Sequence, residues 1–209
     1  MSDAPTRKRY QQAARELLRD SLLDAAGELL REYTWSDINM AAIATQAGVS
    51  RQTLYNEFGT RDEFAQAYAL REAARFLETV QAAIAAHPDD HRKALYNGFT
   101  VFMREAAGNP MVRQIVVRDP GADDLLALFT TRGGPVVEFA KYNLSEQMIE
   151  LWPQADPESA RLVAESLVRL AISHVGLPTG SIEDAARGVG ELLGPYLDQE
   201  LNAAPAPAA

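Results

Sequence analysis

The sequence of 209 residues contains no cysteine. This absence excludes disulfide bonds, thiolate metal sites and thiol nucleophiles, and it is typical of a protein from a reducing compartment. No apolar run is long enough to span a membrane, and residues 1–12 lack the apolar core of a signal peptide, so we expect a cytoplasmic protein. Because no nucleophile elbow, phosphate-binding loop or dinucleotide fingerprint is present, we expect neither an enzyme nor a cofactor.

Positive charge is also scarce. The formal net charge is −9, and residues 1–64 carry eight Lys and Arg against ten Asp and Glu. The chain therefore has no basic domain with which to hold nucleic acid nonspecifically. Any contact with a phosphate backbone has to come from a local cluster, since charges farther away than a Debye length of about 8–10 Å are screened.

Runs of alternating β-branched residues are absent, and apolar residues recur at helical spacing instead. This pattern predicts an all-α fold of about nine helices. The helices are expected at residues 10–33, 40–47, 51–58, 61–86, 91–107, 122–132, 135–151, 157–176 and 182–200, and Asn109-Pro110 is a further helix start.

Residues 40–58 contain two short predicted helices joined by a tight turn. Asn39 and Ser50 are suited to cap them, and Gly48 suits a left-handed position in the turn. Apolar residues occupy the positions that pack on a core, namely Ile43, Ala44, Ala47, Val49, Leu54 and Phe58. This is the layout of a helix-turn-helix, whose second helix enters the major groove of DNA.

The other side of the second helix presents polar residues: Arg51, Gln52, Thr53, Tyr55 and Asn56. Arg reads guanine, Gln and Asn read adenine, and the Thr methyl contacts thymine. A helix-turn-helix shape also occurs as ordinary packing. The agreement of caps, buried positions and polar face is therefore what favours DNA binding.

Residues 15–65 resemble the TetR family of transcriptional regulators, on the segments 23–30, 43–50, 53–58 and 61–64. The resemblance implies an N-terminal extension (1–14), a helix-turn-helix domain (15–62) and a helical ligand-binding and dimerisation domain (63–201). The Ala- and Pro-rich residues 202–209 are expected to be a disordered tail. The chain is also similar to actinobacterial regulators that stand beside lipid and alkane-oxidation genes.

The resemblance further implies roles for single residues. Tyr55 stands at a phosphate contact, Thr53 at a phosphate or base contact, and Arg61 in place of a Lys that holds the DNA backbone. Arg51, Gln52 and Asn56 lie at positions that vary with the operator. The candidate DNA-binding residues are Arg7, Lys8, Arg9, Asn39, Ser50, Arg51, Gln52, Thr53, Tyr55, Asn56 and Arg61.

The sequence leaves the role of the N-terminal arm open, and it differs from the family pattern at two further places. Arg7, Lys8 and Arg9 form either an arm that contacts the DNA minor groove or backbone, or a solvated tail. Asn39 stands where Thr or Ser is usual in the family, with the same capping and phosphate role implied. Ala41-Ala42 replaces a charged pair that is common in the family, so one phosphate contact is expected to be missing.

Helices five to eight are expected to enclose a ligand cavity. The candidate ligand-binding residues are Tyr96, Phe99, Phe102, Met103, Met111, Ile115, Phe129, Phe139, Tyr142 and Trp152. Aromatic and Met residues at helical spacing belong to a plain core more often than to a binding site. Their apolar character favours a hydrophobic effector, such as a fatty acyl chain, an alkane or a lipophilic drug.

Reading two half-sites about 34 Å apart requires two recognition helices, and therefore a dimer. In residues 157–176 the charges Arg161, Glu165 and Arg169 form one narrow stripe, and a helix that is apolar elsewhere is covered on more than one side. The predicted interface residues are Val163, Leu167, Leu170, His174, Ala186, Gly190, Leu193 and Leu197. The alternative is that one of the last two helices packs only within its own chain.

The sequence thus predicts a dimeric repressor that binds a palindromic operator and is released by a small hydrophobic effector. Two alternatives stay open, namely an activator without a small-molecule effector and a helical interaction protein. His87 and His91, which lie next to Asp89 and Asp90, suggest either a metal site or a solvated loop, and the Pro between the two His favours the loop.

Overall fold

The computed structural model describes the backbone of residues 4–202 and the side chains of residues 9–201. All regular structure in this range is helical, which confirms the predicted all-α fold. The helices are α1 (Ala4–Leu29), α2 (Met40–Gln46), α3 (Arg51–Phe58), α4 (Arg61–Ala85), α5 (His91–Gly108), α6 (Pro110–Val117), α7 (Ala122–Ala127), α8 (Gly134–Leu151), α9 (Pro157–Gly176) and α10 (Ile182–Asn202). None of these helices combines the length and the hydropathy that crossing a bilayer requires.

The boundaries differ from the expectation at both ends of the chain. Helix α1 begins at Ala4 and ends at Leu29, after which the amides of Arg31 and Glu32 donate to the carbonyl oxygens three residues earlier. The carbonyl oxygens of Leu30 and Tyr33 accept hydrogen bonds from a side chain of α6. Helix α6 begins at the predicted Asn109-Pro110 start, and with it the described residues form ten helices where about nine were predicted. Except for Asn202, the tail predicted for residues 202–209 lies outside the described residues.

The predicted caps of the short helices are confirmed. The Asn39 side chain accepts hydrogen bonds from the amides of Ala41 and Ala42, and the Ser50 hydroxyl accepts one from the amide of Thr53. Thr60 and Glu63 form a capping box at the start of α4. Side-chain acceptors therefore satisfy amides that the first turn of each helix leaves without a partner.

The buried apolar side chains form two clusters. The first cluster, the N-terminal core, joins α1, α2, α3 and the first turns of α4, with Leu22, Ile43, Leu54 and Phe64 among its members. It also includes residues from α6, α7 and α8: Met111, Ile115, Leu125, Leu128 and Val136. The second cluster, the C-terminal core, is built from the rest of α4 with α5, α8, α9 and α10.

Residues 33–38 (the Trp35 loop) connect α1 to α2 and are fixed by the C-terminal part of the chain. The Trp35 side chain is only 2% exposed. Gly121 precedes α7 with a φ of 86°, and a Cβ placed there would lie 2.9 Å from the amide nitrogen of Ser36. Only glycine therefore allows α7 to pack this closely against the loop.

We predict that Gly121→Ala destabilises the protein more than Gly180→Ala does. Both glycines have a positive φ, which costs a residue with a Cβ about 1–2 kcal/mol. Only at Gly121 would the new methyl group also meet another segment of backbone, which adds about 1–3 kcal/mol of packing strain. Urea denaturation measures both free energies of unfolding, and equal losses would contradict the close packing of α7 on the loop.

Candidate functional site

Helix α3 lies on the N-terminal core with Leu54 and Phe58 buried beneath it. Its outward side, the α3 face, consists of the exposed residues Arg51, Gln52, Tyr55 and Asn56. Thr53 is half-buried, and Ser50 is exposed at the start of the helix. The structure thus brings the predicted recognition residues together on one surface that is open to solvent.

Hydrogen bonds within α3 hold these side chains in place. The amide of Gln52 donates to the side-chain oxygen of Asn56 over 2.8 Å. The Arg51 guanidinium lies over the Tyr55 ring, 5.4 Å from its centroid. Such contacts lower the conformational entropy that these side chains lose when they bind a partner.

Glu57 fixes α3 against α1. Its carboxylate accepts hydrogen bonds from Arg15 at 2.8 Å and from Arg19 at 2.9 Å, and Arg19 also stacks on the Phe58 ring. Burial alone would raise the pKa of Glu57, but the hydrogen bonds from Arg19 and Arg15 outweigh it and lower that pKa. Sequence reasoning missed this triad, because its members lie about forty positions apart.

Arg61 faces the Trp35 loop. Its guanidinium donates a hydrogen bond of 2.6 Å to the carbonyl oxygen of Trp35, a longer one to that of Ile38, and it stacks on the Trp35 ring. The residue implied as a phosphate contact therefore joins the start of α4 to the loop before α2. An aromatic residue within an otherwise polar connection was the available signal for this contact.

The remaining members of the DNA-binding set lie at the ends of helices. Asn39 is exposed, although its side-chain oxygen is engaged in the cap of α2. Arg9 is exposed on α1. The side chains of Arg7 and Lys8 lie outside the described residues, so the role of the arm stays a prediction.

A cavity of about 120 Å³ lies between α4, α5, α6, α7, α8 and α9. Every described side chain along its wall is Ala, Val, Leu, Ile or Phe, with Gly98 and Gly176 completing it. Of the ten predicted ligand-binding residues, four line the cavity: Phe99, Phe102, Ile115 and Phe129.

The other six predicted ligand-binding residues lie elsewhere. Met111 is buried in the N-terminal core, and Tyr142 is exposed. Trp152 is buried in the C-terminal core, and its indole N–H donates to the carbonyl oxygen of Pro88 over 2.8 Å. Tyr96, Met103 and Phe139 pack in the C-terminal core without lining the cavity.

Sequence reasoning missed two walls of the cavity. Helix α4 contributes Phe76, Leu77, Val80 and Ile84, and α9 contributes Val168, Ala171, Ile172 and Val175. The apolar spacing along α4 was a usable signal, because the wall residues recur every three or four positions. On α9 that signal was assigned to a dimer interface instead.

The predicted dimer residues need correction at four positions. Val163, Leu167, Ala186 and Leu197 are buried inside their own chain, so they have no surface to give to a partner. Leu167 lines the cavity. Helix α10 turns the side that carries Ala186 and Leu197 inward because it packs on α5. At this contact the His91 ring lies 2.5 Å from the Asp198 carboxylate.

Leu170, His174, Gly190 and Leu193 remain half-buried. Leu170 and His174 line a shallow groove between α9 and α10 together with Leu192. Leu162 on α9 is 57% exposed and Leu192 on α10 is 65% exposed. We call the outer side of α9 and α10, with Leu162, Leu170, His174 and Leu192, the α9–α10 face.

Comparison with known proteins agrees with this layout. The family model of bacterial regulatory proteins of the tetR family matches residues 22–68, and that of the bacterial tetracyclin repressor C-terminal domain matches residues 90–195. The HTH-type transcriptional regulator AlkX of Mycobacterium tuberculosis is 36% identical over 190 residues, which cover 91% of this chain and 90% of that protein.

Solved structures extend the likeness. The TetR family repressor AlkX of a Dietzia species, implicated in the biodegradation of n-alkanes, is 36% identical with a TM-score of 0.78, over 88% of this chain and 97% of that one. The Rhodococcus erythropolis repressor QsdR shares the fold at 22% identity and a TM-score of 0.61, over 86% of this chain and 95% of that one.

Proposed function

Because the chain belongs to the TetR family of bacterial transcriptional regulators, we propose that it is a dimeric repressor of a palindromic operator, released by a small hydrophobic effector. One observation carries the proposal. A single chain joins an exposed polar recognition helix to a cavity whose wall is wholly apolar. The activity is the binding of DNA, and the effector controls it.

The α3 face supports sequence-specific reading of the major groove. Arg51, Gln52 and Asn56 are of the types that make bidentate contacts with base edges, and Tyr55 offers a hydroxyl to a phosphate. The acidic net charge supplies little nonspecific affinity. Specificity therefore rests on these few side chains.

Selection from a random DNA duplex library tests the operator. We expect delipidated protein at near-physiological salt to enrich a palindrome with half-sites about one helical turn apart. Arg51→Ala is expected to weaken binding by about 1–3 kcal/mol and to relax the sequence at one position in each half-site. Tyr55→Phe should weaken all sequences alike.

Lys93→Ala is the matched control for this selection, because Lys93 is an exposed cation on α5, outside both the α3 face and the α9–α10 face. It should leave the enriched sequence and the affinity unchanged. Failure of folded, delipidated protein to enrich any sequence would overturn the proposed DNA binding.

The α9–α10 face supports dimerisation. Large apolar side chains such as Leu162 and Leu192 cost free energy when they stay in water, and a second copy that packs on α9 and α10 would cover them. A twofold axis at this face would set the two α3 helices for two half-sites of one operator.

We predict that Leu162→Glu or Leu192→Glu raises the dimer dissociation constant at least about tenfold, because the carboxylate has to be desolvated in the interface. Sedimentation velocity measures the change. Leu17→Glu is the matched control, since Leu17 is an equally exposed leucine on α1. A dimer that survives both substitutions would place the interface elsewhere.

The cavity supports a hydrocarbon effector. A carboxylate buried against this wall would find no hydrogen-bond donor among the described lining side chains, which costs several kcal/mol. An apolar cavity of about 150 Å³ is known to hold benzene, so about six carbons fit here and a longer chain has to push the walls apart. The n-alkane link of the AlkX repressor points to the same class.

We predict that n-octane weakens operator binding about 5–150-fold, the usual range of coupling between two sites. Ala140→Phe, which fills the cavity, should reduce this change to less than about threefold. Ala82→Phe, on the exposed side of α4, is the matched control. Fluorescence anisotropy of labelled operator gives the affinities, and octanoate serves as the charged comparison.

An unchanged operator affinity with n-octane and octanoate would contradict the proposed effector class. It would favour the activator without a small-molecule effector.

A further inference from the structure

Helix α6 lies between the cavity and the N-terminal core. Val112 and Ile115 line the cavity, while Met111 and Ile115 pack in the N-terminal core. Any occupant that pushes the cavity wall at these two positions therefore pushes a helix that also supports the DNA-binding part of the chain.

The side chain of Gln114 links α6 to the Trp35 loop. It is 5% exposed, its oxygen accepts a 2.9 Å hydrogen bond from the amide of Trp35, and its nitrogen donates to the carbonyl oxygens of Leu30 and Tyr33 at 3.1 and 2.8 Å. Both donor hydrogens of the amide are used. Breaking these bonds leaves buried polar groups without partners, so the loop has to follow when α6 moves.

The other end of α6 is tied to α4. Asn109 caps α6 through its side-chain oxygen and donates its side-chain N–H to the buried carboxylate of Glu72 over 2.5 Å. On the opposite side of the loop, Arg61 of α4 holds the carbonyl oxygen of Trp35. Hydrogen bonds from α4 and α6 therefore hold the Trp35 loop on both sides. A tilt of α6 relative to α4 would rotate this loop.

We propose that Gln114 is the positioning residue through which occupancy of the cavity reorients the helix-turn-helix. The inference rests on the proposed function, because it assumes that the occupied cavity weakens operator binding. A displaced Trp35 loop moves Ile38 and the cap residue Asn39, and with them the start of α2. Helix α3 follows because α2 and α3 share the N-terminal core.

The absence of cysteine allows the cavity to be filled covalently. Ala171→Cys, on the cavity wall, is to be labelled with octyl methanethiosulfonate. The thiolate displaces methanesulfinate and leaves an octyl disulfide in the cavity. We expect the label to weaken binding to the selected operator at least about tenfold. In the double variant that combines Ala171→Cys with Gln114→Met, the same label should weaken operator binding less than about threefold.

The readout is the ratio of operator affinities with and without the label, which a general loss of stability does not change. Gln147→Met is the matched control. Gln147 donates a partly buried hydrogen bond from α8 to the carbonyl oxygen of Gln81, away from the Trp35 loop. The Gln147→Met protein should keep the full response to the label.

Hydrogen exchange provides a second readout that needs neither an operator nor the Gln114 variant. We expect the Trp35 amide, which donates to Gln114, to exchange at least about tenfold faster when Ala171→Cys carries the octyl label. Unchanged exchange would overturn the proposal.

The outcomes separate the two claims. If the label weakens operator binding equally in the proteins with and without the Gln114→Met substitution, the link through Gln114 is refuted and the proposed function stands. If the label changes neither operator binding nor Trp35 exchange, both the link and the proposed effector control are refuted.

Discussion

Three helices hold the Trp35 loop in place through hydrogen bonds and close packing. The arrangement of the whole protein depends on these contacts. Arg61 of α4 binds the carbonyl oxygen of Trp35, Gln114 of α6 binds its amide, and the start of α7 packs on Ser36 through Gly121. The loop is therefore anchored through the buried side chains of Trp35 and Ile38, which belong to the N-terminal core. The position of α2 and α3 is then set by helices that also wall the cavity.

The α3 face and the cavity differ strongly in the chemistry of their side chains. The α3 face is polar and exposed, and hydrogen bonds within it hold its side chains in place. The side chains along the cavity wall are hydrocarbon. An apolar effector gains its affinity by displacement of water and by dispersion contacts, which do not fix its orientation. Under the proposed function, the influence of such an effector on DNA binding would come from the volume that it occupies and from the helices that this volume displaces.

The elements with strong local signals were predictable from the sequence. The caps Asn39, Ser50 and Thr60 mark the starts of α2, α3 and α4, and the alternation of buried and polar residues on α3 identifies its outward face. The cavity was predicted only in part, because helical spacing tells that a residue is buried but not which neighbour it meets. Leu167 was assigned to a dimer interface for this reason, although it faces the cavity. The bonds of Gln114 join residues far apart in the chain, and no local pattern reports them, whereas Trp35 in an otherwise polar connection was a signal for the contact of Arg61.

The central claim is that filling the cavity changes the spacing of the two recognition helices in a dimer. Distance measurement by pulsed electron resonance tests it directly, with a nitroxide on Thr45→Cys, an exposed position of α2 outside the α3 face. The account predicts that the distance between the two labels shifts when n-octane binds. Bound n-octane, verified by calorimetry, together with an unchanged distance would contradict it.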